Sequence, residues 1–163
     1  VSDNSKFRKP HAGDRIGMVL GNTIVAAIVL KLVFLLLGGS RIIELHLAQW
    51  AATNETVVWN PVLFLTPGAA IGFGWLRYSL IMQGRLRGVS WLGGTVQGVM
   101  IAFVNVPVAG LLLGILNENP MRGLLLGLAS LLLLPSLLVS MGAFGMIMGL
   151  YNALKAEKWL IKK

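Results

Sequence analysis

The sequence predicts an all-α integral membrane protein: a compact bundle of four transmembrane helices, with an interfacial amphipathic segment after the first span. Three observations predict it. Apolar residues come in runs far longer than the helices of a small water-soluble core require. Charge is sparse, 12% of the 163 residues against 56% hydrophobic, where a soluble domain is about a quarter charged. The charges also gather at the ends of the apolar runs, where lysine and arginine oppose anionic headgroups. The formal net charge of +8 is therefore read as membrane orientation, and no nucleic-acid partner is expected, because that would need a basic stripe on a folded surface. Helices rather than a barrel are required, since unpaired backbone groups in lipid are very costly and the alternation of barrel strands is absent.

Residues 1–15 read as a basic cytoplasmic tail, and residues 16–152 as the transmembrane domain. The first span covers about 16–38, Ile16 to Gly38. It is too long for the apolar core of a signal peptide, and Ser40–Arg41 offers no small-x-small cleavage site, so an uncleaved span is expected. Segment 39–60 is the sizeable extracytoplasmic piece. In it Ile43, Leu47 and Trp50 recur at helical spacing while Arg41, Glu44 and Gln49 point elsewhere. An amphipathic helix at the membrane interface, anchored by Trp50 and Trp59, fits that pattern; a straight continuation of the first span is the alternative.

Span two covers 61–82 and opens on Asn60–Pro61, a cap and a first helical residue. A link from Gln83 to Ser90 leads to span three, 91–116, and a link from Asn117 to Pro120 leads to span four, 121–151. Links this short make successive helices antiparallel neighbours. As one straight helix the last span would be about 45 Å long against a hydrocarbon core of about 30 Å, so it must tilt, kink at Pro135 or protrude. Residues 153–163 read as a second basic tail, with Trp159, Leu160 and Ile161 as a short anchor.

Orientation follows from the basic residues. Lys6, Arg8, Lys9, Arg15, Arg77, Arg85, Arg87, Lys155, Lys158, Lys162 and Lys163 fall on one side, and Arg41 and Arg122 on the other. Lys31 lies inside a span and is left out. That excess places both termini in the cytoplasm, and the expected location is a bacterial inner membrane.

Glycine recurs four residues apart at Gly17–Gly21, Gly68–Gly72, Gly94–Gly98, Gly110–Gly114, Gly123–Gly127 and Gly145–Gly149. Such pairs make a flat face on a helix, letting backbones approach where van der Waals contact must drive association. Two pairs in each of the last two spans exceed what four helices need among themselves. One face is thus expected to serve the bundle and another a partner subunit.

The intramembrane polar residues are Lys31, Gln97 and Asn105. A charge within a span is a functional hypothesis by default. For Lys31 the readings are a specific acidic or phosphate partner, snorkelling to the outer interface, or a role in transport. Glu44 would reach it if the amphipathic segment folds back. Asn105 precedes Pro107, whose ring frees a carbonyl near Phe103 that a side-chain amide can satisfy; a polar pathway lining is the other reading. Gln97 and Thr95 are candidates for bonds between helices, and Ser136 and Ser140 for bonds back to their own helix. Arg77 is expected to snorkel to the headgroups beside Tyr78, and Arg85 and Arg87 to sit in a loop as lipid or partner contacts.

Little else suggests chemistry. There is no cysteine, which excludes disulfides, thiolate metal sites and cysteine nucleophiles. His11 and His46 fall on opposite sides of the membrane, no span holds a carboxylate, and no phosphate-binding loop or hydrolase motif occurs. Asn54-Glu55-Thr56 matches a glycosylation acceptor, a triplet that arises often by chance. No cofactor, metal or catalytic residue is expected.

Two stretches, Gly68-Ala-Ala-Ile-Gly-Phe-Gly-Trp-Leu-Arg-Tyr78 and Phe103-Val-Asn-Val-Pro-Val-Ala-Gly-Leu-Leu-Leu-Gly114, resemble small four-helix fluoride channels. The resemblance ends there. That family's phenylalanine, threonine and serine box would fall in Leu131 to Gly149, which holds Phe144 and no threonine, and the chain is not assigned to it.

The expectation for function is a non-catalytic accessory subunit of a multi-component membrane complex, of secretion, respiratory or photosynthetic type. It would act among membrane lipids and other integral membrane subunits, packing through its glycine faces. The alternative is a small channel, transporter or pore-forming protein, acting as a homo-oligomer.

Overall fold

A computed structural model describes residues 10–37 and 61–161. Its elements are α1 (Ala12–Leu37), α2 (Pro61–Arg87), α3 (Trp91–Leu116), α4 (Pro120–Leu133) and α5 (Pro135–Ile161). Three of them, α1, α3 and α5, are long and apolar enough to cross a membrane, so the chain is an all-α protein of the integral membrane kind. α2 has the length, at 27 residues, but Arg77, Gln83 and Arg85 dilute its apolar run. α4 is apolar, but its 14 residues reach only about 21 Å. The expected interfacial helix in segment 39–60, with Trp50 and Trp59, lies outside the described residues.

The start of α1 explains itself locally. The His11 backbone N–H donates to the Asp14 carboxylate at 2.9 Å, half of a capping box, with the acid favourably placed at the positive end of the helix. α2 runs further than the sequence suggested. Gln83 to Arg87 are helical rather than a loop, and Arg85 and Arg87 occupy the last turn, where cations complement the carbonyl end of the helix dipole. Gly88 then takes the left-handed backbone, φ 80°, and its N–H closes on the Gly84 carbonyl at 2.9 Å. Two residues later Ser90 caps α3 by accepting from the Gly93 N–H at 3.0 Å.

The expected fourth span is two helices. Proline disfavours the helical conformation in the residue before it and has no N–H of its own to give. Leu134 is accordingly extended, at φ −114° and ψ 91°, while its N–H closes α4 on the Ser130 carbonyl at 3.1 Å. The bend is large. Gly127 faces Pro107 of α3, and Gly145 faces Val99. From Val99 to Pro107 α3 advances about 12 Å, whereas a straight helix from Gly127 to Gly145 would advance about 27 Å. The chain must therefore bow away from α3 around Leu134 and return. At its far end α5 continues to Ile161, so residues 153–161, read as part of a basic tail, are helical. The Trp91 indole donates to Glu157 at 3.0 Å, tying that end to the start of α3.

The turn between α3 and α4 is tight. The Asn119 N–H reaches back to the Gly114 carbonyl at 2.8 Å, Glu118 takes a positive φ of 58°, and the Asn119 side chain caps α4 at the Arg122 N–H at 3.1 Å. Pro120 stands at the start of the new helix, where its missing N–H costs nothing.

α3 lies antiparallel to both α4 and α5, and glycine sets each contact. A Cβ on Gly98 would sit 2.6 Å from the Gly149 Cα, and one on Gly145 would sit 2.6 Å from the Val99 Cα. Further along, a Cβ on Gly123 would sit 2.6 Å from the Gly114 Cα, and one on Gly127 2.8 Å from the Pro107 Cα. These are backbone atoms, which cannot rotate aside. α2 closes the bundle: Gly74 lies against Val19 of α1 and Gly72 against Ile101 of α3, and Phe73 meets Phe144 of α5 edge-on at 5.6 Å. Gly145→Leu should therefore cost about 3 kcal/mol of stability through forced separation of α3 and α5. Gly17→Leu, on an open face, should change it by less than about 0.5 kcal/mol. Denaturant unfolding of the purified chain in mild detergent, followed by circular dichroism, measures both.

Candidate functional site

Two interior hydrogen-bonded contacts hold the buried asparagines, and Lys31 stands on the outer face of α1. The first interior contact joins α1, α2 and α5. Asn22 and Asn152 are fully buried. Asn152 Nδ2 donates to Asn22 Oδ1 at 3.0 Å and to its own helix at the Met148 carbonyl at 2.8 Å. Its Oδ1 accepts from Arg77 Nε at 2.8 Å. Asn22 Nδ2 donates in turn to the Met18 carbonyl at 2.9 Å. Asn152 thus acts as the joint, holding two other helices with one amide.

Aromatic rings extend this layer toward the basic end of the bundle. The Arg77 guanidinium lies 5.2 Å from the Tyr151 ring centroid, and the Lys155 ammonium 5.7 Å from the same ring. Arg15 sits 4.3 Å above the Tyr78 ring and donates to a hydroxyl there at 2.9 Å. Cations over aromatic faces are worth most where water is scarce. Arg77, expected to snorkel beside Tyr78, is instead engaged through Nε inside the bundle. Asn152 offers it an oxygen across the bundle, and its Nη2 is buried without a hydrogen-bond partner among the described residues.

The second interior contact joins α3 to α2. Buried Asn105 donates to the Leu65 carbonyl at 2.6 Å. The amide does not repair the carbonyl near Phe103; it crosses to the neighbouring helix, because Gly68 leaves the surface of α2 open there. A Cβ on Gly68 would collide with Asn105 Oδ1.

The remaining polar candidates do not join these contacts. Gln97 is half-buried with no side-chain hydrogen bond among the described residues, and Thr95 bonds the Trp91 carbonyl of its own helix at 2.9 Å. Ser136 and Ser140 carry buried hydroxyls with no partner among the described residues; for Ser136 the preceding turn is interrupted at Leu134. Arg85 and Arg87 lie at the end of α2, and Trp50 and Trp59 are outside the described residues. Among the described residues no group of three His, Asp or Glu side chains comes together to hold a metal.

Lys31 points away from all of this. It is exposed, one turn past Ile28, which is 56% exposed, and one turn before Leu35, which is 75% exposed. Among the described residues it has no hydrogen-bond partner. A lysine at the centre of an apolar helix costs about 3 kcal/mol on membrane-insertion scales; Lys31 stands six residues before the end of α1 at Leu37. Gly17 and Gly21 share the outward face, with no described atom near enough to touch an added Cβ. The glycine pairs Gly94–Gly98, Gly110–Gly114, Gly123–Gly127 and Gly145–Gly149 face one another within the chain, while Gly68 and Gly72 face Asn105 and Ile101.

Sequence reading missed Asn22, Asn152 and Tyr151. A signal existed: Asn22 follows the start of α1 by about as many residues as Asn152 and Arg77 precede the ends of α5 and α2. Antiparallel helices bring such positions to one level. No family model, no curated protein and no solved structure matches this chain.

Asn152→Leu should cost about 3 kcal/mol, since it strips both Asn22 and the Arg77 guanidinium of a partner. Asn22→Leu should cost about 1 kcal/mol, because Asn152 keeps its bonds to Met148 and Arg77. Combining Asn152→Leu with Arg77→Met should cost clearly less than the two single changes added together, as expected for groups sharing one network. Unfolding midpoints in detergent for the four proteins of the cycle measure the coupling.

Proposed function

We propose that this chain is a non-catalytic subunit of a multi-component membrane complex, which braces partner helices through the outer face of α1. The observation that carries the reading is the separation of its polar groups. Asn22, Arg77 and Asn152 bond to one another, and Asn105 is bound to the Leu65 carbonyl. Lys31 stands outside on α1. A pathway through one bundle would need such groups to converge on a common lining, and these do not. Four glycine pairs are used between α3, α4 and α5, whereas Gly17 and Gly21 of α1 remain open. A helix face that permits close backbone approach and has no neighbour among the described residues suits a partner helix.

Extraction from native membranes in a mild detergent, followed by intact-complex mass spectrometry, is the test. The expected result is a fixed stoichiometry of this chain with at least one different membrane protein. A homo-oligomer that passes ions in liposomes, with flux lost in Asn105→Leu, would overturn the proposal.

A further inference from the structure

We infer that the outer face of α1 receives a transmembrane helix of a different chain, and that this helix carries a carboxylate paired with Lys31. The inference rests on the subunit reading above and adds the chemistry of the partner. At 3.6 residues per turn, Gly17, Gly21, Ile24, Ile28, Lys31 and Leu35 all lie within about 40° of one direction around α1. The opposite side carries Met18, Asn22, Ala26, Leu30 and Val33, all buried in the bundle. The open glycines and the lysine therefore share one outward stripe, about 15 Å apart along the helix axis. A helix seated on Gly17 and Gly21 would pass Lys31 two to three turns later.

Charge decides the occupant. A lysine on the membrane-facing side of an apolar helix is stabilised by an anion at its own level. The described carboxylates do not supply it: Asp14 lies in the first turn of α1, Glu118 in the turn after α3, and Glu157 near the end of α5. A second copy is also excluded as a symmetric partner. Two α1 helices packed face to face on this stripe with a common orientation would bring their Lys31 side chains together, and like charges in apolar surroundings repel strongly. A foreign helix bearing Asp or Glu meets both requirements: it neutralises Lys31 and presses against the glycines.

The test uses the full chain expressed in its native membrane. A photo-crosslinking residue placed at Ile28 should capture one membrane protein, and peptide mapping should place the crosslink on a transmembrane segment containing Asp or Glu. Lys31→Met should lower recovery of that protein at least tenfold after mild detergent extraction, and Lys31→Arg should retain it. Lys31→Asp should abolish recovery, and exchanging the mapped carboxylate for lysine should restore it. Full recovery with Lys31→Met would overturn the inference in favour of a lysine that reaches lipid phosphate. A crosslink to a second copy of this chain would also overturn it. So would a Glu44→Gln effect equal to that of Lys31→Met, which would locate the anion within the chain. These outcomes differ from failure of the subunit reading, in which the wild-type chain would purify with no other protein at all.

Discussion

Inside a bilayer, burying a leucine against another leucine gains little, because the lipid it leaves is equally apolar. Association must come from close packing and from bonds between helices. In this chain that constraint falls on α3. Its Gly98 lies against Gly149, and its Gly114 against Gly123, with added Cβ atoms blocked by backbone in every case. The rest of the bundle depends on that spine. The break at Leu134 lets one chain segment meet α3 twice, first through α4 and again through α5, although the intervening residues are too many for a straight path.

The polar contacts supply what the glycine contacts lack, which is a directional link to the other helices. Close backbone packing tolerates sliding, whereas a hydrogen bond at a fixed level does not. Asn152 gives α5 a bond to α1 and another to α2, and Asn105 gives α3 a bond to α2. The two contacts lie at different levels of the bundle, so together they set the register of α2 against its neighbours.

Much of the helix plan was legible. Span three has the bounds of α3, an unbroken apolar run that the structure caps with Ser90 and Asn117 at its ends. Span four was legible only in part. Pro135 marked the weak point, but whether a proline kinks a helix or ends it depends on what packs against the residue before it. The end of α2 was misread because Gln83 to Arg87 looks polar enough for a loop. In the helix Gly84 fits against Leu160, a contact between segments far apart in sequence. The Arg77 partner was missed for the same reason, as Asn152 is 75 residues away.

The sequence by itself determined the class of this protein. Long apolar runs, sparse charge and short links leave helices in a membrane as the solution, because the backbone must satisfy its own hydrogen bonds there. It also determined where small residues recur and that one lysine falls inside a span. Only the tertiary structure decided which glycines meet a neighbour and which stay open, and that Lys31 shares the open face. Spacing along one helix specifies a face but not what that face meets. That depends on the rotation of each helix in the bundle, which is set by contacts between distant residues such as Asn22 and Asn152.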